Sequence, residues 1–569
     1  MKKIFTLLLC YASLSVSAQY LPNGDFSSWK TSCGSTEAFG TGSSSSPKTG
    51  EMRQRPGVEP TEWNGSSINQ YVMLGVEKEL VFNESNTVKM VNTYVGINLG
   101  FTKIGSVAPG FITLGTPWVY AESTVSKCDG GTYGGVSFTN KPDAITGKFK
   151  RTDSNAENSH IIVYTWDGTF TSNIGSKSSP NQARNNVDRA VYGKTDPTTS
   201  GNLIAYCDYA FTSTTNSDWE TITVPLTYTD HGQTNAPTMM NVVISAGDYW
   251  TRANMIENTT LYADDVQFIY NSSLSDLKFN DTTISGFAKD TYEYTIDDGY
   301  TDGCITFTKD CVGGDVEGHF EPSSNSYIIT VEGDDIKSNP SNTHTYTVKF
   351  TKVIINDGDD INEVGHISKG TVVLNRKFKA GWNTVCLPFP VTAAKLGTSV
   401  TTYKLSTPSG DAITFSKTTS NIAKNTPFLA NFPSEVNSIT FTSRTINEDK
   451  TPLVQTCGDW TFTGSYEPSI SMEGKWGVVN DGSKVRKGGA GSTLKSTRAY
   501  LEYNGTANVN EMRIIIDGEE TTITEIDGMP VGNFDVYNLQ GVRVRQNVNS
   551  LDGLNKGIYI VNGKKHIVK

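Results

Sequence analysis

Binding a sugar asks for a flat aromatic face against the C–H face of a pyranose, with polar side chains nearby to hydrogen-bond its hydroxyls. Several stretches bring these types together: Trp118 and Tyr120 in GTPWVYAES, Tyr133 in a glycine turn, and Trp166 beside Asp167. Tyr249 and Trp250 follow a Gly247-Asp248 turn and precede Thr251 and Arg252. Any one such ring is more often part of a core than a platform. Trp250 is the best placed, because its flanks read as an exposed loop. Trp29 and Trp219 lie within fold-forming runs and read as core. A charge poses a second question. Read as a strand, residues 261–270 (LYADDVQFIY) put Tyr262, Asp264, Val266, Phe268 and Tyr270 on one face, and Leu261, Asp265, Gln267 and Ile269 on the other. Asp264 then lies on the more apolar face, where it must be hydrogen-bonded, paired or metal-bound.

No catalytic set emerges. The six histidines (His160, His231, His319, His344, His366 and His566) are scattered without HExxH spacing, and there is no GxSxG elbow, P-loop or GxGxxG turn. A glycosidase needs two acids facing each other across a sugar, ~5.5 Å apart for retention or ~6.5 to 9.5 Å for inversion. With 59 acidic residues the sequence does not single out such a pair, so Asp143, Asp167 and Asp248 read by default as structural or surface acids.

The elements that must position these residues are strands. Thr, Ser, Asn, Gly and aromatic residues dominate, and long stretches at helical period are missing, which predicts an all-β chain. At 569 residues it is too long for one core, and ~150 residues per domain suggests three or four units. Strand-like runs at 88–95, 110–114, 144–150, 161–166, 203–211, 219–226, 241–245 and 261–270 give the first unit a β-sandwich count. A polar segment, 171–202, interrupts them and reads as a binding loop or a disordered stretch. The net charge of -11 disfavours a nucleic-acid partner. Residues 1–18 read as a signal peptide, with Lys2 and Lys3, an apolar run, and Val16-Ser17-Ala18 before Gln19. No later run is apolar enough to span a membrane. Export would permit disulfides, yet seven cysteines follow the signal peptide, so at least one stays unpaired. Cys304 and Cys311 are close enough in sequence to bridge a turn, or to pack as two thiols.

NGDFSSW near the start, GGVSFTNKPDAITGKFK, DWETITVPL, the Gly247-Asp248-Tyr249-Trp250 turn and LYADDVQFIY occur in one order over residues 20–271. Together they resemble the carbohydrate metabolism domain family of secreted and surface proteins from gut and oral Bacteroidetes. The resemblance implies a jelly-roll related to carbohydrate-binding modules. It also implies a structural calcium shared by an early NGxF segment and an aspartate of the last strand, here Asp25 with Asp264 or Asp265. A glutamate usual in such openings is replaced by Ser27, which removes one anionic ligand. The tail, FDVYNLQGVRVR and KGIYIVNGKKHIVK, is similar to the sorting domain read by the type IX secretion system, which would make that machinery a partner. It reads equally as a terminal strand pair.

The expected organisation is a signal peptide (1–18), a carbohydrate-binding-like jelly-roll (19–271) and a small Ig-like β-sandwich (272–352). An acidic linker (353–365), a β-rich C-terminal domain (366–525) and the sorting-like tail (526–569) follow. The expected function is noncatalytic glycan capture by a secreted or cell-surface protein. A glycoside hydrolase-like activity in the jelly-roll and a surface adhesin are the alternatives.

Overall fold

The computed structural model describes residues 21–568 except 42–46, 73, 122–128, 154, 169–201, 252–253, 410–411, 507–509, 518, 521–524, 527–528 and 531–532. The expected signal peptide, most of the polar segment 171–202, Arg252, Cys128 and Lys569 lie outside these residues, and of Tyr120 and Tyr133 only the backbone is described. The architecture is nearly all strand, as the composition predicts.

In the N-terminal sandwich, one sheet runs in the order Glu220–Pro225, Ala144–Arg151, Thr260–Ile269, Thr87–Val91, Val81–Glu84. The facing sheet is centred on Ser159–Asp167, flanked by Asn202–Phe211 and Met239–Ser245. Between them Ile145, Phe149, Val88, Leu261, Val266 and Phe268 of the first sheet meet Ile161, Val163, Ile204, Val242 and Ile244 of the second. Alternation sends every second side chain into this layer. Ser159–Asp167 is buried on both faces, because Ile162, Tyr164 and Trp166 pack outward against Phe111, Val243 and Tyr249.

The closing strand, Thr260–Ile269, departs from strict alternation. Leu261 and Ala263 point into the core, and then Val266 and Phe268 do. The change of parity is a β-bulge: Lys148 faces Asp264 and Thr146 faces Gln267, so three residue steps on one strand match two on the other. Asp265 absorbs the extra residue at φ +48, a left-handed conformation that aspartate tolerates better than most side chains. Asp264 and Tyr262 therefore do not share the apolar face with Val266 and Phe268, which corrects the face assignment from the sequence. The opening segment docks here as well. Val266 N donates to Gly24 O (2.8 Å), and a Cβ at Gly24 would fall 1.8 Å from Val266 O, so only glycine fits.

The second sandwich is built around Leu277, Cys304, Cys311, Ile329, Val331, Tyr346 and Val348. Cys304 and Cys311 are separate free thiols packed in this core, so the bridge considered from their spacing does not form. Asp143 clasps the two sandwiches, accepting from Asn271 N (2.7 Å) and Val312 N (3.0 Å), while Asp334 accepts from Lys141 N (2.5 Å).

The acidic run expected to be a solvated linker is built into the fold. Thr343–Asn356 pairs in parallel with Ile367–Asn375, so one sheet continues across it. Asp357 ion-pairs with Arg498 (2.7 Å) and Lys495 (3.1 Å), and Ile361 and Val364 are buried in the next core. An 11-stranded sheet follows, then a four-stranded sheet formed by Phe534–Asn538, Arg543–Val548, Gly557–Val561 and Lys564–Val568.

Candidate functional site

The outer face of the five-stranded sheet carries a row of alternating rings and ammonium groups. Ile222 and Val224 point inward from Glu220–Pro225, which turns Thr221, Thr223 and, just before the strand, Trp219 outward. By the same parity Phe149 is inward and Lys148 and Lys150 outward, and Val88 and Met90 place Lys89 outward. Register sets Phe149 opposite Glu220, Lys150 opposite Tyr262, Tyr262 opposite Lys89, and Lys89 opposite Phe82. Trp219, Lys150, Tyr262, Lys89 and Phe82 thus form one line across the sheet.

Trp219 is 39% exposed, against the core role that its sequence context suggested. Its ring meets Tyr262 edge-on at 6.3 Å between centroids. Lys150 Nζ lies 5.5 Å from the Trp219 centroid and 4.8 Å from that of Tyr262, and Lys89 Nζ is 5.5 Å from Tyr262. These are cation–π distances. The bond to Glu84 (2.9 Å) raises the Lys89 ammonium above its ordinary value, against a smaller lowering by burial. Lys148 pairs with Asp265 (2.6 Å) one step along the strands. Thr146, Thr223 and Gln267 add hydroxyl and amide groups to the same face. Rings braced by their neighbours lose little freedom when a ligand settles on them.

The residues favoured from sequence lie elsewhere and are mostly inside: Trp166 on the facing sheet, Trp118 on a separate four-stranded sheet that contains Thr116–Ala121 and Asp129–Tyr133, and Tyr249 and Trp250 in the segment after Met239–Ser245. Trp118, Trp166 and Tyr249 are buried, so as placed they pack rather than present a platform. Tyr249 stands edge-on to Phe111 and Trp250, and its hydroxyl accepts from Thr132 N (3.0 Å). Trp250 is half-buried and donates through Nε1 to Asp208 Oδ2 (2.8 Å). Asp248 is buried too. Its carboxylate accepts from Trp250 N, Thr251 N and Asn254 Nδ2, which makes it the organiser of the turn. Beneath it Glu157 accepts from Asp248 N, Ile256 N, Thr259 Oγ1 and Asn92 Nδ2. Gly247 is required there, since a Cβ would come within 2.3 Å of Glu157 Oε1.

His160, buried at the start of the central strand, joins Asp208 and Asp248. Its Nδ1 lies 2.8 Å from Asp208 Oδ1, and its Nε2 lies 3.8 Å from Asp248 Oδ1, beyond a direct hydrogen bond. At the other end of that strand Asp167 Oδ2 contacts His231 Nε2 at 2.7 Å. Sequence spacing did not connect either histidine to its carboxylate, because the partners come from different strands or loops.

The three aspartates considered for calcium are engaged separately. Asp25 accepts from Ser27 N and Oγ, Asp264 accepts from the Asp265 amide, and Asp265 holds Lys148. Burial chiefly, with the Asp265 and Asp25 charges, pushes the Asp264 carboxyl above its ordinary value, while the Asp265 amide and Lys148 pull it back. Among the described residues no three His, Cys, Asp or Glu side chains converge as a metal-holding group. As placed, these residues do not fit the calcium cradle that the resemblance implies. The tie between the opening segment and the closing strand runs through the backbone at Gly24 instead.

No family model and no curated protein matches the chain. Among solved structures it is similar to a candidate glycoside hydrolase from Bacteroides thetaiotaomicron, with 14% identity and a TM-score of 0.22, over 34% of this chain and 57% of that one. A candidate glycoside hydrolase from Bacteroides vulgatus matches with 12% identity and a TM-score of 0.24, over 44% of this chain and 97% of that one. Likenesses this remote carry neither the fold nor the function. Among the described residues no helix is long and apolar enough to cross a membrane.

Proposed function

We propose that this is a secreted or surface-displayed protein whose N-terminal sandwich binds a glycan without catalysis, on the outer face of its five-stranded sheet. The observation that carries the reading is Trp219, a 39% exposed indole braced by Tyr262 and Lys150 on a face that also presents Thr, Lys and Gln side chains, Phe82 and the Asp264 and Asp265 carboxylates. The ring supplies the apolar surface and the neighbouring side chains the hydrogen bonds that a sugar requires. A glycan array and calorimetry on the full chain test it: binding that is lost in Trp219→Ala supports the reading, and a folded wild-type protein that binds no polysaccharide sinks it.

A second reading, hydrolysis, is favoured by one observation: Asp208 and Asp248 flank His160 beside Trp250. Against it, Asp248 already takes three hydrogen bonds from its own turn, which is the work of a scaffold. Release of reducing ends from a bound polysaccharide by the wild type, abolished in Asp208→Asn, would establish the hydrolase. Binding without release leaves the noncatalytic reading in place.

A further inference from the structure

The C-terminal four-stranded sheet is buried on one side only. Alternation sends Phe534, Val536, Tyr559 and Val561 into a small core closed by Leu551 and Leu554. The opposite parity leaves Tyr537, Ile558 and Ile560 on the outer face. There Ile558 stands opposite Ile567, and Ile560 stands between Tyr537 and Lys565, with Arg543 beyond Tyr537. Ile558 is 42% exposed and Ile567 70%, and the turn after Phe534–Asn538 exposes Leu539 and Val542. With Val544, five of the twelve large hydrophobic side chains exposed among the described residues fall in this short tail. Single exposed apolar residues are ordinary, whereas a cluster of them marks a docking surface.

Charge says what docks there. Residues 534–569 hold six lysines and arginines against Asp535 and Asp552, an excess of four positive charges in a chain whose net charge is -11. One of the two acids is already engaged, since Asp535 pairs with Arg543 (3.1 Å). We infer that this face seats the protein on an anionic lipid surface, the isoleucines entering between headgroups and the cations meeting phosphates. A second copy fits less well, because two such faces would bring like charges together. The acidic remainder of the chain opposes docking only weakly, since at physiological salt charges more than ~8 Å from the surface are largely screened. Apolar side chains and a basic rim act together here: either alone gives marginal, reversible binding, and the sum gives attachment.

The test uses the chain from Gln19 onward, without the expected signal peptide, whose apolar run would itself enter lipid. The probes are vesicles of phosphatidylcholine alone or mixed with phosphatidylglycerol. In flotation assays the protein should bind the mixed vesicles, bind phosphatidylcholine far less, and be released as salt is raised. Lys565→Gln should weaken binding about fivefold, as for one cation near a charged surface, and Lys565→Arg should restore it. Ile567→Ser should weaken it about tenfold, the loss of one apolar side chain from the lipid. Both side chains are exposed, and near-UV circular dichroism confirms that each variant folds. No binding of the folded protein to the mixed vesicles, equal binding to both kinds, or binding unchanged in Ile567→Ser overturns the inference. Lipid-free self-association in sedimentation velocity that Ile567→Ser abolishes also overturns it, and gives the face to a second copy instead.

Discussion

Two tryptophans of the N-terminal sandwich separate structure from function at the scale of single residues. Trp250 is anchored through its indole N–H to Asp208 and packs edge-on to Tyr249. Trp250→Phe removes a hydrogen bond to a carboxylate and should cost about 2 kcal/mol in denaturant unfolding while leaving glycan affinity unchanged. A loss of affinity with unaltered stability would move the site to the Trp250 turn. Trp219 is the converse, a surface ring with little to hold in place. Its exposure was legible in the sequence, because Ile222 and Val224 in DWETITVPL fix the inward parity and leave Trp219 with Thr221 and Thr223. Treating the run as a motif rather than counting its parity is what hid it. The cluster of His160, Asp208 and Asp248 was not legible, since its members are brought together only by strand pairing.

The element that sets the face is the bulged closing strand. Alternation predicted a strand over residues 261–270, and the strand is there. The bulge could not be read from the sequence, because it depends on Asp265 adopting a left-handed conformation opposite Lys148. Asp265→Gly should be tolerated within about 0.5 kcal/mol, since glycine accepts that conformation freely and the ion pair lost is exposed. Asp265→Val should cost about 1–2 kcal/mol, the strain of a β-branched residue in the left-handed region. Urea denaturation of the two variants checks this, and equal costs would contradict the account. Tyr262 and Lys150 stay in register only while the bulge stays in place, so Asp265→Val should also weaken glycan binding.

Across the whole molecule, the sheets continue where the sequence suggested a boundary, and the clasp between the first two sandwiches is polar. Burial pushes the Asp143 carboxyl from its ordinary 3.8 up to about 6, with the Asn271 and Val312 amides pulling it down and Asp310 and Asp334 adding to the rise. Between these values the folded chain holds a proton there that the unfolded chain releases. Stability from this group is therefore fullest at the acid end and declines as the pH rises from about 4 to about 6. The difference in unfolding free energy between wild type and Asp143→Asn should shift in that direction across the window, measured by denaturant titration at several pH values. A difference that grows in favour of the wild type with rising pH would contradict it. Fold class was legible at this scale from composition and alternation. The continuous sheet was not, because an acidic Asn-Asp-Gly run looks the same whether solvated or held, as here, by Arg498 and Lys495.

The central claim, a glycan site on the Trp219 face, is tested most directly by calorimetry of the full-length wild type, Trp219→Ala and Trp250→Phe against the polysaccharide that binds best in an array. Heat of binding is expected for the wild type and Trp250→Phe and none for Trp219→Ala. Binding retained in Trp219→Ala but lost in Trp250→Phe would contradict it.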